Sequence, residues 1–166
     1  MRILGIDPGL RITGYGAIES NNGAFALLEA GIVAPNSRAT LGDRLALLHR
    51  GICDVVEATC PDAVVIEEVF SGYRNPLTAL MMGHARGVLC LAAAQQHVTI
   101  HALAHSAVKR ALTGTGAARK EQVRSMVVQL LGLRRSPEPV DVSDALALAL
   151  AFANRAGRVS LNGDAH

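Results

Sequence analysis

The 166-residue chain has no tryptophan and only five aromatics, two Tyr and three Phe. An aromatic-built core is excluded, so the interior must be filled by Leu, Val, Ile and Ala in a chain that is half hydrophobic. Lysine is almost missing as well: of 16 basic residues only Lys109 and Lys120 are lysines. Cys53, Cys60 and Cys90 form no Cys-x-x-Cys pair, which argues against a zinc site and for reduced thiols in a cytoplasmic protein. No secretory leader is expected, because Met1 runs straight into a strand-like segment. Residues 87–108 lack charge but carry Gln95, Gln96, His97, His101 and His105, too many polar groups for lipid. No membrane association is therefore expected. A net charge of +2 is too small to argue for a polyanionic partner by itself.

The apolar pattern predicts one domain over 1–156, with 157–166 a frayed, flexible tail. Strands are expected at 2–7, 12–18 and 25–33, joined through the hairpin signal Asn21-Asn22-Gly23 into an antiparallel meander. A helix over 40–58 follows, with Thr40 and Asp43 as a capping pair, then an apolar strand at 63–67. Asn75-Pro76 reads as the start of a helix running to about 95. Its Ala79, Gly83 and Gly87 form a stripe of small residues, expected to pack on the chain's own sheet, with a dimer interface as the alternative. A fifth strand is expected at 98–103, then helices at about 105–112, 118–131 and 142–155. A meander followed by alternating helix and strand predicts an α/β fold with a five-stranded mixed sheet and helices on both faces.

Four carboxylates draw attention within that frame. Asp7 closes the first strand and Glu67 the fourth, and ligands of open α/β sheets bind outside the carboxyl ends of strands. Asp141 and Asp144 stand three apart at the start of the last helix, on one helical face. Read singly, each has an ordinary explanation: a turn residue for Asp7, a solvent-facing member of Glu67-Glu68, and a helix cap for the Asp pair. Together they offer hard oxygen ligands suited to Mg²⁺, with Mn²⁺ as an alternative. Four such groups can hold two ions about 4 Å apart, the arrangement that clamps an in-line phosphoryl displacement.

Charge distribution supports a polyanionic substrate. From Val69 to Lys120 there is no Asp or Glu, while Arg74, Arg86, Lys109, Arg110, Arg119 and Lys120 all fall there. Gly114-Thr115-Gly116 joins two predicted helices. Its Gly114 and Gly116 either expose backbone N–H groups to a phosphate or simply end a helix. Phe70 and Tyr73 lie just beyond Glu67; an exposed aromatic there stacks on an unpaired base, while burial in the core is the commoner fate of a Phe.

The segments GIDPGLRITGYG (5–16), IEEVF (66–70), GHARG (83–87) and DVSDALALA (141–149) resemble the RuvC family of bacterial Holliday junction resolvases over roughly residues 2–155. The resemblance implies a ribonuclease-H-like fold of the retroviral-integrase superfamily. It implies a homodimer that nicks two opposing strands of a four-way DNA junction during recombination and DNA repair, working with the RuvA and RuvB branch-migration proteins. By motif position, Asp7, Glu67, Asp141 and Asp144 match the catalytic carboxylates, Lys109 and Lys120 the basic residues near the scissile phosphate, and Phe70 the aromatic at the junction centre. Gly14, Tyr15 and Gly16 match a motif read as structural. The loop after Phe70 departs from the family pattern. The same residues also fit an RNA-processing nuclease of the related YqgF type, or a junction-binding scaffold without catalysis.

Overall fold

The computed structural model describes residues 1–68 and 75–163, with side chains described through residue 157. Its order is β1 (Arg2–Asp7), β2 (Thr13–Asn21), β3 (Ala24–Val33), α1 (Leu41–Thr59), β4 (Ala63–Glu67), α2 (Pro76–Gln95), β5 (Thr99–Leu103), α3 (His105–Thr113), α4 (Lys120–Leu130) and α5 (Val140–Gly163). The five strands form one sheet in the order β3-β2-β1-β4-β5. The first three pair antiparallel, while β1, β4 and β5 run parallel. This is the expected meander and mixed sheet.

Local chemistry explains the joints. Asn22 and Gly23 both take positive φ, 47° and 84°, as the tight β2–β3 turn requires. Thr40 Oγ1 accepts from the Asp43 N–H at 3.2 Å and donates to Asp43 Oδ2 at 2.7 Å, closing the N-terminus of α1. Asn75 Oδ1 accepts from Leu77 N–H at 2.9 Å, with Pro76 at the first helical position.

Strand alternation divides the core into two layers. Leu4, Ile6, Ala17, Val64 and Ile66 pack under α1 and α2. Ile3, Ile18, Val65 and Leu103 pack under α3, α4 and α5. The small-residue stripe of α2 is a correction. The helix buries Ala85, Leu89, Ala92 and Ala93 instead, and side chains added at Gly83 or Gly87 would meet open space. Gly83 and Gly87 face outward with Leu77 (60% exposed), Leu80 (55%) and Leu91 (51%). Although α2 is long and apolar enough to cross a bilayer, Arg86 at its middle donates from Nε to the Glu67 carbonyl at 3.0 Å, tying it to the sheet.

The last helix also differs from expectation. It starts at Val140, two residues early, and its backbone stays helical to Gly163, past the predicted end near 155. No proline interrupts 140–163, and a single interior glycine such as Gly157 costs only about 1 kcal/mol.

Candidate active site

Asp7 and Glu67 end neighbouring parallel strands, whose register pairs Ile6 with Ile66. The alternation that sends Ile3 and Val65 toward α5 sends Asp7 and Glu67 to the same side, four and two residues on respectively. Glu68, by contrast, is exposed and is the solvent-facing member of that pair.

The two α5 carboxylates reach this edge because the sheet lets the helix come close. A Cβ on Gly5 would collide with the Ala145 carbonyl, and one on Gly14 with the Asp141 carbonyl. Gly14 sits opposite Asp7 in the β1–β2 ladder, so the absent side chain brings the first turn of α5 over Asp7. Asp141 is the second residue of α5, within its first turn. The capping explanation for the Asp pair is thus corrected: the helix begins before Asp141, and the Val142 N–H bonds to the Pro139 carbonyl at 3.0 Å. The loop after Asp7 is closed by buried Thr13, whose hydroxyl accepts from Gly9 N–H at 3.2 Å and donates to its carbonyl at 2.7 Å. Arg44 of α1 supports the same loop by donating to the Leu10 carbonyl at 2.8 Å.

Asp7, Glu67, Asp141 and Asp144 line one cleft of ≈ 480 Å³, together with His105, Lys109 and Lys120. Burial first, and then the charges of Glu67, Asp144 and Asp141, push the Asp7 carboxyl from 3.8 up to about 8, against the opposing pull of Lys120. A set of hard anionic oxygens around a half-buried carboxyl that resists ionisation is the electrostatic setting a divalent cation relieves. Among the described residues no three ligand side chains close into a protein cage. The four cleft carboxylates are nonetheless hard oxygen donors of the kind Mg²⁺ takes, commonly one or two at a time with water and substrate phosphate. The residues present therefore fit a divalent cation of this kind.

The basic residues divide. Lys109 and Lys120 enter the cleft from α3 and α4, while Arg110 and Arg119 are exposed on the flanking surface. Gly114 takes φ +82° and its N–H bonds to the Arg110 carbonyl at 3.0 Å, ending α3. Gly116 packs close to the Ser106 carbonyl. Both glycines thus shape the turn that delivers Lys120, and the Arg119 N–H is taken by Gln122 Oε1 at 2.8 Å. Phe70, Tyr73 and Arg74 lie outside the described residues. Two residues not assigned to the site from sequence join it: His105, whose Nδ1 lies 2.9 Å from Glu67 Oε1, and Arg86, which holds the Glu67 backbone. For His105 a signal was present, since it precedes Lys109 by four residues on a predicted helix.

The chain matches the family model "Crossover junction endodeoxyribonuclease RuvC" over residues 3–152. It is 43% identical to the protein of that name from Rhodopirellula baltica over 148 residues, 89% of this chain and 83% of the relative. It is likewise 43% identical to that from Caldicellulosiruptor saccharolyticus, covering 90% of each. The structure of Thermus thermophilus RuvC in complex with a Holliday junction substrate superposes with a TM-score of 0.91 at 34% identity, over 96% of this chain and 97% of that one.

Proposed function

Since the chain belongs to the RuvC family of crossover junction endodeoxyribonucleases, we propose that it resolves four-way DNA junctions at the cleft lined by Asp7, Glu67, Asp141 and Asp144. It is a metal-dependent nuclease of recombination and repair with a ribonuclease-H-like fold. The observation that carries the site assignment is the convergence of four carboxylates from β1, β4 and α5 in one cleft, where burial first, and then the charges of the other three, push the Asp7 carboxyl up to about 8.

Each residue has a part. Asp7, Glu67, Asp141 and Asp144 would hold Mg²⁺, with Mn²⁺ able to replace it, and room for two ions. When bound, the cations supply activation of the attacking water and neutralisation of charge on the leaving oxygen. Lys120 faces the carboxylates and attracts the scissile phosphate, stabilising the charge that builds on it. Lys109, on the α3 wall, adds a second ammonium to the same phosphate path. Arg110 and Arg119, exposed beside the Gly114–Gly116 turn, extend the positive surface along the DNA backbone. Phe70 is assigned the contact to the junction centre, with Tyr73 and Arg74 as further DNA contacts.

Two nicks on opposing strands require two such clefts. A homodimer supplies them, and the outward apolar face of α2 with Leu77, Leu80, Gly83, Gly87 and Leu91 supports that interface. RuvA and RuvB are the expected partners, and the cytoplasm the expected compartment.

The test is nicking of a mobile four-way DNA junction with Mg²⁺, with Mn²⁺ and with EDTA. Paired, metal-dependent nicks in opposing strands are expected. Cutting that persists in EDTA, or that favours structured RNA over the junction, refutes the reading.

A further inference from the structure

Glu67 is held at both ends. Arg86 of α2 fixes its backbone carbonyl at 3.0 Å, and His105 places Nδ1 2.9 Å from its Oε1. An ionised carboxylate only accepts, so the hydrogen of the second contact sits on Nδ1. His105 opens α3 and lines the cleft. Lys109 follows four residues later, which puts both on one helix face.

Stability gives little reason for this contact. The His105 side chain is 50% exposed, and exposed pairs of this kind contribute about 0–1 kcal/mol. The helix is anchored without it, through buried Val108 and Leu112. What the contact does is immobilise a flexible glutamate. A free Glu side chain loses up to roughly 2 kcal/mol of rotamer freedom on being fixed, and a bond already made to one oxygen removes part of that loss from cation binding.

We propose that His105 is a positioning residue of the active site: by donating Nδ1–H to Glu67 Oε1 it fixes the carboxylate with its other oxygen available to the divalent cation. This rests on Glu67 being a cation ligand. Groups that orient metal-bound carboxylates typically change affinity by roughly 10–100-fold, and His105 acts at the low end because it is half exposed.

The geometry of amide side chains separates this role from direct ligation. An Asn amide nitrogen lies one carbon from Cβ, as Nδ1 does, whereas a Gln amide nitrogen lies where Nε2 does. The experiment measures Mn²⁺ binding to the DNA-free protein at one fixed pH, by loss of the free-ion electron paramagnetic resonance signal. Wild type, His105→Ala, His105→Asn, His105→Gln and Asp7→Asn are compared, with folding checked by circular dichroism. Affinity is expected to fall roughly tenfold in His105→Ala, to recover in His105→Asn and not in His105→Gln. Wild-type affinity in His105→Ala overturns the proposal. So does recovery by Gln alone, which would make His105 a direct Nε2 ligand, and so does failure of both amides. Asp7→Asn keeps the two levels apart. If wild type binds Mn²⁺ and Asp7→Asn does not, the carboxylate site stands whatever His105 does. If wild type binds none, both fall.

Discussion

Replacing Asp7 by Asn should stabilise the metal-free protein while removing its chemistry. In the folded chain Asp7 keeps its proton up to about pH 8, against an ordinary value of 3.8. The folded state therefore binds this proton more tightly than the unfolded state. The contribution of Asp7 to stability is greatest at low pH. It falls as pH rises from about 4 toward about 8, and levels off beyond. Each tenfold difference in proton affinity is worth about 1.4 kcal/mol, which caps the loss at pH 7 at about 4 kcal/mol. Water enters the open cleft and the neighbouring carboxylates can turn away, so a net cost of ~1–2 kcal/mol is expected, or roughly 2–6 °C for a chain of this length. Asn has the same shape and no charge to desolvate. In EDTA at pH 7.5, Asp7→Asn should unfold several degrees above wild type by differential scanning calorimetry, and the gap should close near pH 4. Added Mg²⁺ should raise wild type and leave the variant unmoved. A variant no more stable than wild type at pH 7.5, or a gap independent of pH, would refute the electrostatic description of the cleft.

Three further outcomes follow from the same geometry. Gly14→Ala pushes a methyl group into the Asp141 carbonyl, so α5 must retreat; overpacking should cost ~1–3 kcal/mol in thermal unfolding, and nicking should fall more than junction affinity. Gly83→Leu meets open space within its own chain, so the fold should be kept while dimerisation is lost; a dimer mass in sedimentation would rule out α2 as the interface. Lys120→Ala removes the cation that opposes the high Asp7 value, and single-turnover nicking should drop roughly 10²-fold with junction affinity in gel shift changed far less; equal losses in both would assign Lys120 to binding alone.

Much of this was legible because it was local. Asp7 and Glu67 announced themselves as strand ends, and Asn75-Pro76, Thr40–Asp43 and Asn22-Gly23 carried their own turn chemistry. What the chain could not reveal was tertiary. The strand order that sets β1 beside β4 leaves no periodic trace. The spacing of Asp141 and Asp144 fits a cap as well as a ligand pair until the helix start at Val140 is known. The small residues of α2 mark a close approach without saying to what, and the structure turns them away from the sheet. His105 and Glu67 are 38 positions apart, and only the parallel β4–β5 pairing, with α3 following β5, brings them together.

The most direct test of the central claim compares wild type and Asp7→Asn on a mobile four-way junction, recording binding and nicking separately with Mg²⁺ present. The four-carboxylate site predicts that the variant binds the junction as wild type does and makes no nicks. Nicking that survives in the variant, or binding that is lost together with cutting, would contradict it.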